Sequence, residues 1–199
     1  MARDVVLETL RHAWETLQPL NASMAVMGGI ALAAWEHVRA THDVDLLIGL
    51  ERAHGARIVQ HMEAAGFKTK RYPPVMQLGR LDLVQFLYNP PDTLLDIQVD
   101  LLLGESEYQR AALSRRVATR LPGLDVELFV LSCEDLILYK LLAGRILDVA
   151  DCAALLVANR GALDWSYLAR WSQSLGLTRE LSDVWKRAFP GDRPPPQTP

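Results

Sequence analysis

The sequence predicts an α/β fold of the α+β type, with a small mixed sheet flanked by helices and an α-helical C-terminal half. Up to Val130, short apolar runs typical of strands alternate with runs whose apolar residues recur at helical spacing. From Ser132 onward almost all of the apolar residues follow helical spacing. The chain has 199 residues, half of them hydrophobic, which is enough to bury one sizeable core.

The predicted strands are the short runs richest in apolar and strand-forming residues, at 23–27, 44–50, 81–88, 94–103 and 126–130. The breaker Asn89-Pro90-Pro91-Asp92 separates the third run from the fourth. We therefore expect 81–88 and 94–103 to pair as antiparallel neighbours.

The predicted helices are the segments with apolar residues three and four apart, at 3–17, 30–38, 51–65, 105–118, 136–159, 165–171 and 175–189. Gly66 lies in the usual position for a helix end after 51–65. Ser132 and Asp135 begin a capping-box-like start for the long apolar helix.

These patterns divide the chain into three parts. Residues 1–131 are predicted to form the α/β core, and 132–189 a helical region that packs on the core. Residues 190–199 are rich in proline and polar, which predicts a disordered tail.

Composition excludes several classes of protein. The net charge of −3 gives no global attraction to nucleic acid or anionic membranes, so an RNA partner would need a local basic patch. Cys133 and Cys152 lack C-x-x-C spacing and are expected to be reduced thiols. The charged N-terminus does not suit a signal peptide, and no apolar run is long enough to span a membrane, so a cytoplasmic location is expected. Neither a P-loop nor a G-x-S-x-G elbow occurs.

The most informative stretch is the pair Asp43 and Asp45 on an apolar run. Because side chains alternate along a strand, both carboxylates point to the same face. Two adjacent carboxylates repel each other unless a cation lies between them, which predicts a divalent metal site. Upstream, Gly28 and Gly29 lie between a strand and a helical pattern, where backbone N–H groups can bind phosphate. Together these features suit phosphoryl or nucleotidyl transfer.

These two motifs carry a family resemblance. The run from Gly28 reads GG-x-A-L and the run from Arg39 reads R-x-T-x-D-x-D. Together they resemble the signature of the DNA polymerase β-like nucleotidyltransferase superfamily. The branch they resemble most is AbiEii-like, found in bacterial abortive-infection and type IV toxin–antitoxin systems. The resemblance implies a nucleotidyltransferase fold, an NTP substrate, and Mg²⁺ or Mn²⁺ as cofactor.

A third acid is expected on a later strand. Asp96, Gln98 and Asp100 share one face of the run 94–103. In the resembling superfamily the third acid lies within an apolar-D-apolar-apolar pattern, which the residues around Asp100 fit best. Asp96 is the second choice and Asp82 the third.

Charged residues also interrupt the apolar helix predicted at 136–159. Lys140, Gly144, Asp148 and Asp151 lie on one stripe if that helix is continuous. Glycine is unfavourable within a helix, so Gly144 suggests that another group approaches the helix closely at this position. The pattern again resembles the AbiEii-like branch, which implies that Lys140 contacts nucleotide phosphates and that the acids support the catalytic face. Alternatively, Arg145 and Asp148 form a plain salt bridge, and Asp151 pairs with a neighbouring arginine.

The predicted metal-binding and catalytic residues are therefore Asp43, Asp45 and Asp100. The predicted nucleotide-binding residues are Gly28, Gly29, Arg39, Thr41, Lys140 and Asp148. For Arg39 two roles stay open: it either steers the triphosphate or anchors its loop. Thr41 lies on the face of the acids and is able to orient them by hydrogen bonding.

The resemblance implies the 3′ end of tRNA as one acceptor, and hence a toxin with a cognate antitoxin. Two basic clusters, 68–71 and 110–120, form either solvated surface or, if they converge beside the acids, a track for RNA. The alternatives are a transferase for a small molecule such as an aminoglycoside or for a protein hydroxyl, and a nucleotide-binding relative without turnover. A metal-dependent phosphohydrolase that uses the same acids is disfavoured because H-x-x-x-D spacing is missing.

Overall fold

In the computed structural model of the protein, residues 4–79 and 81–192 are described, and within them the strands form one eight-stranded mixed sheet. The strands are β1 (Met24–Met27), β2 (Asp43–Ile48), β3 (Lys68–Thr69), β4 (Val75–Leu78), β5 (Leu81–Tyr88), β6 (Ile97–Leu103), β7 (Val117–Arg120) and β8 (Glu127–Val130). Their order is β3-β5-β6-β2-β1-β8-β7, and β4 also pairs with β5.

Two parallel strands, β2 and β6, form the middle of the sheet. Strand β1 runs antiparallel to β2, and β5 runs antiparallel to β6, as the breaker between 81–88 and 94–103 predicted. Along β6, buried residues alternate with partly buried ones, so that Val99 and Leu101 face the core. Asp100 lies on the opposite face, as the period of two requires.

The helices are α1 (Val5–Leu17), α2 (Gly28–Ala31), α3 (Gly55–Ala64), α4 (Glu107–Ser114), α5 (Cys133–Ala143), α6 (Ile146–Asn159), α7 (Trp165–Leu175) and α8 (Thr178–Ala188). Helix α1 packs against α3, β2 and β6. Helix α5 is buried almost throughout and packs against α2, α6 and α7, while α8 packs on α6. The mixed sheet flanked by helices, followed by helices alone, confirms the predicted fold class.

Several short strands were missed because their sequences give little signal. Strands β3 and β7 lie at the two edges of the sheet, and β4 pairs only with β5. Residues 117–118, predicted to end a helix, belong instead to β7, so α4 ends at Ser114. The strand predicted from Leu94 begins at Ile97, and both Leu94 and Leu95 are exposed.

The helix predicted at 30–38 is wrong in both length and type. Helix α2 is a single turn and continues as the 3-10 helix Leu32–Trp35. Glu36 then adopts a left-handed backbone conformation with φ of 60°, which ends the helix. The segment between this point and β2 is therefore a loop, and it carries Arg39 and Thr41.

The helix predicted at 136–159 is likewise two helices. Gly144 follows α5 as its C-cap in the left-handed conformation, with φ of 64°, and Arg145 is the N-cap of α6. A Cβ at Gly144 would meet no atom closer than 3.7 Å, so glycine is favoured by the backbone turn and not by a close approach. The expectation of one continuous stripe is therefore wrong, although the turn still brings its charged residues together.

The predicted tail at 190–199 lies, from residue 193 on, outside the described residues; residues 190–192 follow α8 as a turn. None of the helices in the described ranges has both the length and the apolar character needed to cross a membrane. The cytoplasmic location stays a prediction.

Candidate active site

The two acids of the D-x-D motif open strand β2 at the middle of the sheet. Asp43 and Asp45 are both partly buried and lie on the same face of the strand. The hydroxyl of Thr41 donates a hydrogen bond of 2.6 Å to Oδ1 of Asp43, so Thr41 orients this acid as predicted. Met27, the last residue of β1, pairs with Asp45 and places the double glycine beside the acid.

The glycines allow the acid-bearing strand to approach closely. Gly28 has φ of +64°, and a Cβ there would lie 2.6 Å from Cγ of Asp45, which is too close for any side chain. A Cβ at Gly29 would lie 2.6 Å from the hydroxyl oxygen of Thr41. Residues 28 and 29 therefore have a steric reason to be glycine, apart from any contact with phosphate.

Asp100 lies next to Asp45 across the parallel pair of strands β2 and β6. Amide groups hold its carboxylate in place: Nε2 of Gln98 donates to Oδ1 at 2.9 Å, and Nε2 of Gln85 donates to both oxygens at 3.1 and 3.2 Å. The ammonium of Lys70 in turn donates to Oε1 of Gln98. The sequence pattern already places Gln98 on the face of Asp100. The contact of Gln85 with Asp100 depends on the register between β5 and β6, which the sequence does not show.

The second- and third-choice acids are not part of this cluster. Asp96 precedes β6, is exposed, and accepts a hydrogen bond from Asn89 in the turn. Asp82 pairs with Leu103, which places it on the other face of the sheet, and it forms an ion pair with Arg52. The structure thus brings Asp100 to the D-x-D pair and leaves Asp96 and Asp82 away from it.

The acids perturb each other's ionisation. Burial, together with the charges of Asp43 and Asp100, raises the pKa of Asp45 to about 7. Burial also raises the pKa of Asp100, although the amides of Gln85 and Gln98 oppose that rise. A cation at this position would stabilise the ionised form of all three carboxylates.

A buried cation lies across the cleft from the acids. The ammonium of Lys140, on α5, donates to Oδ1 of Asp148 at 2.9 Å and to Oδ2 of Asp151 at 2.7 Å. Burial pushes the pKa of each aspartate upward, but in both cases hydrogen bonds and nearby cations outweigh burial and hold the pKa below its usual value. Lys140 also contributes to lowering the pKa of Asp45 by its charge.

Asp151 ties the loop before β2 to the helical region. Besides Lys140, it accepts hydrogen bonds from Nε of Arg39 at 3.1 Å and from Nε2 of His37 at 3.0 Å. Arg39 therefore anchors its loop, one of its two predicted roles, and Asp151 does pair with a neighbouring arginine. The contact of His37 was missed, because its partner lies 114 positions away in the sequence.

Arg145 takes part in the same network from the turn between α5 and α6. Its Nε donates to Oδ2 of Asp148 at 2.6 Å, which is the salt bridge considered from the sequence. The side chain is nevertheless 74% exposed and borders the cleft. Its guanidinium is thus held by Asp148 at one edge and open to a ligand at the other.

Two cavities meet at the acids. The first, of about 510 Å³, is called here the polar cavity, and the second, of about 430 Å³, the leucine cavity. Both are lined by Gly28, Asp45, Lys140 and Arg145. The polar cavity alone is lined by Gly29, Arg39, Thr41, His42, Asp43 and Gln98. The leucine cavity alone is lined by Asp100, Tyr139 and six leucines, at positions 78, 81, 83, 102, 136 and 142.

The donor set suits a hard divalent cation that is completed by a ligand. Within 4–79 and 81–192, no group of three or more His, Cys, Asp or Glu side chains is positioned to hold a metal ion by itself. Thr41 holds Asp43, and two amides hold Asp100, so the three carboxylates do not converge on one point. Mg²⁺, however, is usually held by one or two carboxylates together with substrate phosphates and not by a complete protein cage. Asp43 and Asp45 fit that requirement.

The two basic clusters differ in position. The cluster at 68–71 reaches the acids, because Lys70 contacts the glutamine that holds Asp100. The cluster at 110–120 does not: Arg115 forms ion pairs with Glu134 and Asp164, and Arg116 stacks on Phe129.

No family profile matches the chain, and no curated protein matches it in sequence. Solved structures do match. One is an antigenic nucleotidyltransferase-like protein from Paracoccidioides brasiliensis, with a TM-score of 0.53 and 20% identity over 92% of this chain and 93% of that one. Another is a putative nucleotidyltransferase from Thermotoga maritima, with a TM-score of 0.51 and 18% identity over 78% of this chain and 95% of that one. The chain has the nucleotidyltransferase fold.

A third match is the antibiotic-resistance factor ANT(2″)-Ia, solved with adenylyl-2″-tobramycin. Its TM-score is 0.56, and the identity is 16% over 85% of this chain and 98% of that one. At these identities the likeness establishes the nucleotidyltransferase fold alone. The AbiEii-like branch and the roles of the individual residues stay predictions.

Proposed function

We propose that this chain is a metal-dependent nucleotidyltransferase that moves a nucleoside monophosphate from an NTP to an acceptor and releases pyrophosphate. The observation that carries the proposal is the register of β2 and β6, which places Asp100 beside the D-x-D pair. Gly28 and Lys140 border the same cleft, so carboxylates, backbone N–H groups and a cation meet there. The nucleotidyltransferase fold supports this assignment.

The acids would hold the metal together with the nucleotide. Asp43 and Asp45 are proposed ligands of Mg²⁺ or Mn²⁺, and Asp100 completes the acidic site. The raised pKa of Asp45 supports this role, because burial and the charges of Asp43 and Asp100 both disfavour its ionised form, which a bound cation would stabilise. When bound, the metal supplies charge neutralisation for the triphosphate and polarises the phosphoryl group under attack.

The polar cavity is the proposed site of the triphosphate. Gly28 and Gly29 line this cavity at the start of α2, and Gly28 has positive φ, so their backbone N–H groups are the proposed donors to the triphosphate. Lys140 has three ammonium protons and uses two on its aspartates, so the third is left for a phosphate oxygen. Arg145 adds an exposed guanidinium.

Asp148 and Arg39 act on the nucleotide less directly than the sequence suggested. Asp148 holds both Lys140 and Arg145, and so it sets the positions of two cations. Arg39 lines the polar cavity while it anchors its loop to Asp151. We propose that Asp148 is a positioning residue and that Arg39 faces the triphosphate with the part of its guanidinium that Asp151 does not use.

Asp100 is the proposed acceptor of the proton from the attacking hydroxyl. Its carboxylate is held by two amide side chains that favour its ionised form, while burial raises its pKa toward the working range of a base. The hydroxyl oxygen bonds to the α-phosphorus, and the bond from that phosphorus to the bridging oxygen of pyrophosphate breaks.

The test is transfer of label from each of the four α-labelled NTPs, with Mg²⁺ or Mn²⁺, to acceptors that include total bacterial tRNA. We expect transfer by the unmodified protein and loss of at least about a thousandfold in the D43N/D45N variant, because both proposed metal ligands become neutral. Asp96→Asn is the matched control, since this exposed acid lies off the site. Equal transfer by all three proteins would refute the proposal.

The AbiEii-like resemblance names the acceptor as the 3′ end of tRNA and the protein as a growth-inhibiting toxin with a cognate antitoxin. Lys70 supports an RNA acceptor, since the basic segment 68–71 lies beside Asp100. Label that migrates with tRNA and is removed by 3′-end trimming would establish this acceptor.

A small-molecule acceptor is the second candidate. The leucine cavity favours it, because Asp100 borders a space with six leucines in its lining, and leucine walls do not suit a phosphate backbone. ANT(2″)-Ia, of the same fold, is solved with an adenylylated antibiotic. A protein that binds NTP with metal but transfers label to nothing would instead be a relative without turnover.

A further inference from the structure

The two cavities differ in which of the proposed catalytic groups they contain. Of the three acids, Asp43 lines only the polar cavity, Asp100 lines only the leucine cavity, and Asp45 lines both. Gly29 lines the polar cavity alone. The two spaces join along Asp45, Gly28, Lys140 and Arg145, which line both. Gly29 and the proposed base Asp100 each line one space only.

The chemistry of transfer assigns an occupant to each space. Nucleotidyl transfer requires the attacking oxygen and the departing pyrophosphate to lie roughly in line, on opposite sides of the phosphorus. If the triphosphate lies in the polar cavity, then the hydroxyl enters from the leucine cavity, where Asp100 takes its proton. The body of the acceptor must then contact the leucine walls.

The charged groups of the leucine cavity are all assigned to other partners. Asp45, Lys140 and Arg145 are shared with the polar cavity, where they are assigned to the metal and the triphosphate. Of the charged residues that line the leucine cavity alone, Asp148 is paired with Lys140 and Arg145, and Asp100 is the proposed base. Most of the remaining lining is leucine, on β4, β5, β6 and α5, together with Met27, Gly79, Tyr139 and Ala143. Leu102 lies two residues after Asp100 on the same face of β6. Burying an ammonium or a phosphate against such walls, with no partner of opposite charge, is strongly unfavourable.

We infer that the acceptor is a small, uncharged molecule with an apolar body and one hydroxyl, held in the leucine cavity with its hydroxyl at Asp100. The volume of about 430 Å³ lies in the range of pockets that enclose a drug-sized molecule. This inference rests on the proposed function and specifies its acceptor. It disfavours both polycationic aminoglycosides and the 3′ end of an RNA.

In the reaction that this geometry implies, the hydroxyl oxygen of the acceptor forms a bond to the α-phosphorus of the NTP. The bond between that phosphorus and the bridging oxygen breaks, and pyrophosphate leaves with the electron pair. The hydroxyl proton passes to the carboxylate of Asp100. The product is a phosphodiester of the nucleoside monophosphate and the alcohol.

The test offers the full chain, with Mg²⁺ and the α-labelled NTPs, three sets of acceptors. The first contains uncharged apolar alcohols with one hydroxyl, with menthol and cinnamyl alcohol as the probes. The second contains tobramycin, and the third contains total tRNA. We expect label in at least one member of the first set and in neither of the others.

A pair of variants tests whether the leucine cavity is the acceptor site. Leu81→Lys places an ammonium in the cavity wall, at a partly buried position of β5. Leu94→Lys makes the same substitution at a fully exposed position in the turn before β6. We expect L81K to lower transfer to the alcohol by about tenfold or more, as removal of pocket complementarity does elsewhere. Metal-dependent NTP binding should be unchanged in L81K, and L94K should behave as the unmodified protein.

The outcomes separate this inference from the proposed function. Label in tRNA or tobramycin alone, or in none of the three sets while NTP binding persists, overturns the inference and leaves nucleotide binding intact. Transfer to an alcohol that L81K leaves unchanged also overturns it. If the unmodified protein binds no NTP with Mg²⁺, the proposed function itself fails.

Discussion

Replacing Asp45 by asparagine is expected to make the metal-free protein more stable. Burial, with the neighbouring charges of Asp43 and Asp100, raises the pKa of Asp45 from 3.8 to about 7. Asparagine has nearly the same shape and is always neutral, so it removes the cost of ionising a carboxyl group at this position. Its amide protons also give the two remaining carboxylates a donor.

The size of the effect follows from the pKa difference. A group whose pKa is higher in the folded state binds its proton more tightly there, so stability falls as pH rises from the unfolded pKa to the folded one. For Asp45 this window runs from about pH 4 to about pH 7. Each pH unit in the window costs about 1.4 kcal/mol, so the ionised carboxylate destabilises the fold by up to about 4 kcal/mol above pH 7. D45N should therefore gain about 2–4 kcal/mol at pH 8 and about 1.5 kcal/mol or less at pH 5.

Urea unfolding in EDTA at the two pH values, with Asp96→Asn as the control, measures this difference. Added Mg²⁺ should raise the stability of the unmodified protein at pH 8 and have little effect on D45N, because binding to the folded state alone stabilises it. If D45N is no more stable than the unmodified protein at pH 8, or its gain is larger at pH 5, the repulsion inferred among the three acids is refuted.

Three further substitutions test the surroundings of the acids. Gly28→Ala should cost about 3 kcal/mol or more and abolish metal-dependent NTP binding, because it adds a clash with Asp45 to the backbone strain; Gly176→Ala, with positive φ but open space, should cost only about 1–2 kcal/mol in the same thermal unfolding assay. Lys140→Met should destabilise the protein by about 3–5 kcal/mol in urea unfolding, since it removes the buried cation that Asp148 and Asp151 share and leaves them only more exposed partners; an unchanged midpoint would contradict that network. Thr41→Val should keep stability within about 1 kcal/mol but lower kcat by about tenfold through loss of its hydrogen bond to Asp43; a change in KM alone would argue against an orienting role.

Local patterns predicted the parts of the site that depend on one strand or one turn. The period of two placed Asp43 and Asp45 on one face, and the same rule set Asp100 apart from the buried residues of β6. The double glycine was predicted to bind phosphate. The structure gives it a second reason, since Gly28 lies against Asp45 with positive φ.

Features that depend on distant pairing were not predictable in this way. The register of β5 decides that Gln85 holds Asp100, and the fold of the loop before β2 decides that His37 reaches Asp151. Gly144 was assigned to a helix interior because apolar spacing continues through it. Its left-handed backbone conformation, which splits the helix, has no signature in that spacing.

The most direct test of the central claim is calorimetric titration with a non-hydrolysable NTP analogue, because it needs no knowledge of the acceptor. The proposed site predicts binding by the unmodified protein in Mg²⁺, loss of that binding in EDTA, and loss of it in the D43N/D45N variant even with Mg²⁺. Binding of equal strength in all three experiments would contradict a nucleotide site built on the acids of β2 and β6.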